Sequence, residues 1–283
     1  MPQIVIFTDI DNTLIQSHII KNNKIIHEKN YGNIKSIIEK LNEKKIPLIL
    51  CSSKTRMEQI KIRKECSISG PFIVENGGAL YIPENYFTCN NFDFVNNKDI
   101  KIKKIQNFHV IEFGKSFLHI SRMLNEIRKE FNIDFKVFHD YTENELVKKI
   151  GIPIDDVKLM LNREYGETIL EINENYVERM VKICKEYNLN MIKGSLYYTV
   201  SSLHDKGKAV SILKKIFQTN TAENFDFVAI GDAMNDLPML INVDHPFLVK
   251  NSHNQYANIQ LANLKKADGV GPFGWEEIVR QYL

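Results

Sequence analysis

Asp9 and Asp11 stand two residues apart at the end of an apolar run, in a stretch that reads IVIFTDIDNTLI. A second acidic pair, Asp232 and Asp236, follows another apolar run in GDAMND. Carboxylates at the ends of buried strands are costly unless their charge is compensated. Between the pairs lie CSSKTR, at 51–56, and Lys206-Gly207, which opens a helical stretch. If these segments converge, several acids crowd around a serine hydroxyl and a lysine. Crowded carboxylates cannot all stay ionised without a cation. A hard divalent ion with oxygen ligands suits them, and Mg²⁺ fits best. Such a centre draws in phosphate. A carboxylate beside a neutralised phosphoryl group can act as a nucleophile. A second one, two residues on, can give a proton to the leaving oxygen and then take one from water.

Chemistry at these positions requires strands that deliver them to one edge. Residues 4–7, 46–51, 71–75 and 225–230 are apolar runs of the kind found in parallel sheets. Ile34, Ile37, Ile38 and Leu41 fall at helical spacing between the first two runs. This alternation predicts an α/β fold with a doubly wound, Rossmann-like parallel sheet. Ligands of such sheets bind beyond the carboxyl ends of the strands, where the acids, CSSKTR and ENGG (75–78) all fall. From about residue 85 the character changes. Residues 85–107 read as loop or poorly packed strands, followed by a strand at 108–113. Phe117, Ile120, Leu124, Ile127 and Phe131 make an amphipathic helix. The division expected is a core at 1–84, an inserted α+β cap at 85–197, and the rest of the core at 198–283.

Composition narrows the function. The 283 residues carry a net charge of +2, with 43% hydrophobic and 25% charged residues. Without a basic stripe interleaved with aromatics, nucleic-acid binding is not expected. No run approaches a membrane span, and no secretory signal is read at the N-terminus. The four cysteines form neither a CxxC pair nor a Cys/His cluster, and a reducing cytoplasm is the simplest reading. The oligomeric state is left open.

The set DIDNT, Ser52 after an apolar run, Lys206 and GDAMND resembles the four motifs of the haloacid dehalogenase superfamily of phosphatases, in order and across the chain. That resemblance implies Asp9 as nucleophile and Asp11 as general acid/base, with Ser52 and Lys206 holding phosphoryl oxygens. It also implies Mg²⁺ bound by Asp9, the backbone carbonyl of Asp11, and Asp232. Asp236 would support the metal and Asn235 would orient neighbours. More narrowly, SSKTR, ENGGALYIP, EFGKSF, REYGET, DKGKA and GPFGWEEI resemble the mannosyl-3-phosphoglycerate phosphatase family. The activity implied is release of phosphate from a mannosyl- or glucosyl-3-phosphoglycerate, yielding a compatible solute. The partner that the motifs imply by this family resemblance is a small-molecule sugar phosphate. The substrate residues implied are Ser53, Lys54, Arg56, Asn76, Gly77, Arg163, Glu164, Glu167 and Thr168. Lys54, Arg56 and Arg163 would pair with the substrate's carboxylate, Arg in bidentate fashion. Glu164 and Glu167 would accept hydrogen bonds from sugar hydroxyls. A broader sugar-phosphate phosphatase, a phosphomutase and a non-catalytic binding protein are the competing readings.

Plainer roles compete at single residues. Ser53 could cap the helix that follows. Lys54, Arg56, Arg163, Glu164 and Glu167 could be solvated charges, and His204 an ordinary loop residue. GVGPFG, at 269–274, fits a dinucleotide fingerprint by its letters alone, with no strand expected to lead cleanly into it.

Overall fold

The computed structural model describes residues 2–21, 24–26, 30–87, 92, 100–194, 196–221 and 223–283. Strand β1 (Gln3–Thr8) is apolar on both faces because helices pack against the sheet on both sides. It pairs in parallel with β4 (Leu48–Cys51) and, on its other flank, with β13 (Phe225–Gly231). β5 (Phe72–Val74) continues beyond β4, while β14 (His245–Lys250) and β15 (Lys265–Val270) continue beyond β13. The chain therefore winds outward from β1 in one direction, returns, and winds outward in the other. The reversal at β1 and β13 opens the crevice in which such sheets bind ligands. A short ribbon, β2 (Ile19–Lys21) with β3 (Lys24–Ile26), stands apart.

Helices cover both faces of the sheet. Ile34, Ile37, Ile38 and Leu41 of α1 (Ile34–Glu43) pack with Ile6 on one face, together with Trp275 of α9 (Phe273–Val279). Val5 and Phe7 point the other way, onto α7 (Lys206–Asn220) and α8 (Leu237–Leu240). Helix α2 (Arg56–Glu65) is capped by Thr55, whose hydroxyl accepts the Glu58 N–H while Glu58 returns the bond. The cap is thus Thr55, not Ser53.

Strand pairing shifts the expected boundaries. β6 (Ala79–Pro83), β8 (Phe108–Glu112) and β7 (Lys101–Ile105) extend the same sheet as an antiparallel edge, giving nine strands among the described residues. The β7–β8 hairpin lies within the span expected for the cap, yet it belongs to the core sheet. Of residues 85–107, those at 88–91 and 93–99 lie outside the described residues. At the other edge, β12 (Tyr198–Ser202) pairs with β10 (Gly166–Ile172) and β11 (Leu189–Lys193), so the cap sheet runs on past residue 197. The cap sheet is antiparallel, with strand order β11-β12-β10-β9, where β9 is Phe135–Val137.

Successive residues of a strand face opposite sides. Ile169 of β10 joins the core beneath α3 (Phe117–Phe131) and α6 (Glu174–Glu186). Leu170 instead meets α4 (Glu143–Ile150) and α5 (Ile154–Leu161). These two helices have eight residues each, too short for periodicity to announce them. Helix α5 packs against α2 and carries the cap over the carboxyl end of the core sheet. Among the described residues, no helix is long and apolar enough to cross a membrane.

Candidate active site

Asp9 follows β1 directly, and its N–H donates to the Ile230 carbonyl of β13 at 2.9 Å. The acid is therefore fixed by the sheet itself. The chain then turns sharply, with the Asn12 N–H donating to the Ile15 carbonyl at 2.7 Å and Asn12 at φ +58. Gly271 supports this turn from below: a Cβ there would lie 2.2 Å from the Asn12 carbonyl oxygen. The GVGPFG stretch is therefore a packing device. Contrary to expectation a strand, β15, does lead into it, but Gly271 admits the loop that carries the acids, while Gly269 and Gly274 pack against each other.

Lys206, on the first turn of α7, is fully buried. Its Nζ donates to Asp9 Oδ1 and to Asp236 Oδ1, each at 2.6 Å. Asp236 is saturated, because its Oδ2 accepts the N–H groups of Asp232 and Ala233 at 3.0 Å. Asp232 accepts the Thr13 hydroxyl, at 3.3 Å on Oδ1, and its buried Oδ2 has no partner among the described residues. Asp9, Asp232 and Asp236 each offer an oxygen within 4.8 Å of the others. Burial pushes the Asp9 carboxyl up to about 7, against the pull of Lys206 and with help from Asp236 and Asp11. Burial, Asp236 and Asp9 likewise raise Asp232 well above the carboxylate range. One lysine does not balance three buried acids. The unpartnered Asp232 oxygen and this excess of negative charge fit a hard divalent cation held by Asp9 and Asp232.

Asp11 lies outside this knot. Lys54 Nζ is 3.0 Å from its Oδ2, and that pairing outweighs burial and holds the carboxyl below its usual range. Ser52 is fully buried at the end of β4, its carbonyl accepting the Asn76 N–H at 2.9 Å. Asn76 is joined across the sheet by Asn235, whose Nδ2 donates to Asn76 Oδ1 at 3.2 Å. Gly77, at φ +95, lets the ENGG turn approach the start of α7, since a Cβ would lie 2.0 Å from the Asp205 carbonyl oxygen.

A cleft of about 360 Å³ runs from Asp11 between core and cap. Ser53, Lys54, Arg163 and Thr168 line it, whereas Arg56, Glu164 and Glu167 do not. Arg56 Nε donates to Glu164 Oε1 at 2.9 Å, and the Tyr81 hydroxyl donates to Glu164 Oε2 at 2.6 Å. These residues join α2 to the cap instead of facing the cleft. Glu167 is 1% exposed and bonded to His139 Nδ1 at 2.7 Å inside the cap. Arg163 Nε and Thr168 Oγ1 are buried and have no partner among the described residues, so two residues that line the cleft with Lys54 retain unfilled polar capacity. The far wall is apolar and includes Phe138, Ile152, Met160 and Tyr197. No motif marks these four residues in the sequence, because an apolar wall of a site reads like core. His204 lies in the loop before α7, as expected, but it is only 2% exposed there, and burial lowers its ring to about 4.

An α/β core whose sheet has nine strands among the described residues, an antiparallel cap, and acids gathered at the reversal point of the sheet together define a capped, doubly wound α/β protein with an acidic centre. The family of haloacid dehalogenase-like hydrolases matches residues 6–271, and the chain belongs to it. A Methanococcoides burtonii protein named glucosyl-3-phosphoglycerate/mannosyl-3-phosphoglycerate phosphatase is 37% identical over 282 residues, covering 99% of this chain and 97% of its own. A Pyrococcus horikoshii mannosyl-3-phosphoglycerate phosphatase is 35% identical over 257 residues, covering 90% and 94%. Among solved structures, a Thermoplasma acidophilum protein superposes with a TM-score of 0.65 at 15% identity, covering 100% of this chain and 99% of its own. That likeness concerns the fold alone. With phosphatases as its full-length relatives, the chain is a phosphoric monoester hydrolase.

Proposed function

We propose that the enzyme hydrolyses the phosphomonoester of glucosyl- or mannosyl-3-phosphoglycerate, with Mg²⁺, through an aspartyl-phosphate. The observation that carries this reading is the meeting of Lys54 from the core and Arg163 from the cap in one cleft beside Asp11. A glycerate phosphate presents a carboxylate next to its phosphate, and two cations beside the acidic centre suit that pair of anions. The names of the relatives point to the same substrates.

In this reading Asp9 Oδ attacks phosphorus, the bond from phosphorus to the ester oxygen breaks, and Asp11 gives that oxygen its proton. Water then attacks phosphorus of the acyl phosphate, Asp11 takes the water's proton, and phosphate leaves. The substrate carboxylate competes for Lys54 and so loosens its hold on Asp11. Lys206 and Ser52 steady the phosphoryl oxygens. Asp9, Asp232 and the Asp11 carbonyl would hold Mg²⁺, which supplies positive charge against the transferring group. We place the enzyme in the cytoplasm, a reading supported by Cys51, Cys66 and Cys184 being unpaired and buried.

The test is phosphate release from glucosyl- and mannosyl-3-phosphoglycerate measured side by side with simple hexose phosphates. Preference for either glycerate substrate sustains the reading. Equal rates on the hexose phosphates would indicate a broader sugar-phosphate phosphatase, and return of phosphate to sugar a phosphomutase.

A further inference from the structure

Glu75 touches none of the acids of the centre, yet it is only 1% exposed. A carboxylate buried in the seam between core and cap needs partners. Its Oε1 accepts the Glu164 N–H at 2.7 Å and its Oε2 the Tyr165 N–H at 3.0 Å. Arg163 Nη1 lies 3.7 Å from Oε2 and also donates to the Ser53 carbonyl at 3.5 Å. All three cap partners are consecutive residues leading into β10. The main chain of Glu75 is tied to the core on both sides. Its N–H donates to the Lys54 carbonyl at 3.1 Å, and its carbonyl meets His204 Nε2 at 3.1 Å. One residue thus links the loop that carries Lys54 to the cap segment that carries Arg163.

Arg163 is nearly enclosed as well, with 7% of its side chain exposed, and its Nε is the buried group without a partner. Arg163 lines the cleft, and its buried Nε keeps an unfilled donor.

We propose that Glu75 is a positioning residue that holds Arg163 in the cleft beside Lys54, so that recognition of the substrate's carboxylate depends on it. This inference rests on the glycosyl-3-phosphoglycerate reading above. A carboxylate is required because two amide N–H groups and a cation converge on its two oxygens. Glutamine keeps the shape but turns an NH₂ toward one of these donors.

Steady-state kinetics of Glu75→Gln on glucosyl-3-phosphoglycerate and on p-nitrophenyl phosphate, which has no carboxylate, test the proposal. KM for glucosyl-3-phosphoglycerate should rise roughly tenfold with kcat within about twofold, so that preference over p-nitrophenyl phosphate falls roughly tenfold. The double variant Glu75→Gln/Arg163→Met should be no worse than Arg163→Met alone, since Glu75 acts through the group already removed. Proportional losses on both substrates, additive losses in the double variant, or an unchanged Glu75→Gln enzyme would each overturn the proposal. Should Glu75→Gln not fold, Glu75→Asp, which keeps the charge but shortens its reach, decides: a rise in KM selective for the carboxylate substrate sustains the proposal, and an unchanged KM or proportional losses on both substrates overturn it. Wild-type enzyme active on p-nitrophenyl phosphate but on neither glycosyl-3-phosphoglycerate would overturn the substrate reading and this inference with it.

Discussion

Residues of one type do different work here because their surroundings differ. Asp232 and Asp236 belong to the same GDAMND stretch, yet Asp236 has both oxygens engaged while Asp232 keeps one buried oxygen free. Asp9 shares Lys206 with Asp236, whereas Asp11 is matched to Lys54. Asp9→Asn is expected to lower kcat by at least roughly a thousandfold, as loss of a nucleophile does. Phosphate release checks this, with circular dichroism showing that the fold is kept. Full activity, once deamidation is excluded, would remove Asp9 from the role of nucleophile. Lys206→Ala leaves two buried carboxylates without their cation, and breaking a buried pair costs about 3–5 kcal/mol. Urea denaturation of the metal-free protein should show a loss of that order.

Elements place these side chains through a few close approaches. The ENGG turn sits where the chain enters and leaves the cap: the Gly78 carbonyl accepts the N–H groups of Phe113 and Gly114, each at 2.9 Å, and the Glu75 carbonyl meets His204. Gly77→Ala would put a Cβ 2.0 Å from the Asp205 carbonyl oxygen at φ +95. The backbone must move, at a cost of about 2–4 kcal/mol, and thermal melting should fall accordingly. His204 makes the same junction sensitive to acid. Burial lowers its ring from the ordinary 6.5 to about 4, so the folded state binds its proton less readily than the unfolded one. The stability it contributes is complete above pH 6.5 and is lost as pH falls toward 4. His204→Gln should therefore show a shallower fall in melting temperature between those pH values than the wild type. An identical slope in the two proteins would count against this assignment.

At the scale of the whole molecule, cap and core meet over the cleft through several separate ties. The Thr55 hydroxyl donates to the Leu159 carbonyl at 2.8 Å, Lys61 pairs with Asp156 at 2.8 Å, and Arg56 pairs with Glu164 at 2.9 Å. Asp9, Asp232 and Asp236 bring together more negative charge than Lys206 balances, which ties stability to pH. The folded-state pKa of Asp9, about 7, lies above its ordinary 3.8, and Asp232 is raised in the same sense. Their neutral forms favour the fold below about pH 4, and that contribution is lost as pH rises through 7. Metal-free protein should therefore melt lower at pH 8 than at pH 6, and Mg²⁺ should raise the melting temperature more at pH 8. Chelation should abolish phosphate release, and added Mg²⁺ should restore it. Scanning calorimetry with and without EDTA at the two pH values measures the stability effect.

The α/β architecture was legible from the sequence because apolar runs and helical periodicity are local signals. The acids at strand ends were legible because a buried strand does not run into carboxylates without a compensating partner. The edges of the cap were not. Whether the hairpin at 101–112 joins the core sheet depends on which strand edge is open to it, and that is a long-range matter. Nor could the sequence divide the charged residues of SSKTR and REYGET. Lys54 and Arg163 line the cleft, while Arg56 and Glu164 neutralise each other at the seam. Glu75 looked like the last residue of a strand, and it gained a role only when three consecutive cap residues were brought onto its carboxylate. The sequence by itself determined which chemical groups are present and the order in which strands deliver them. The tertiary structure decided which charges satisfy one another and which are left for a ligand, because that depends on distances between residues far apart in the chain.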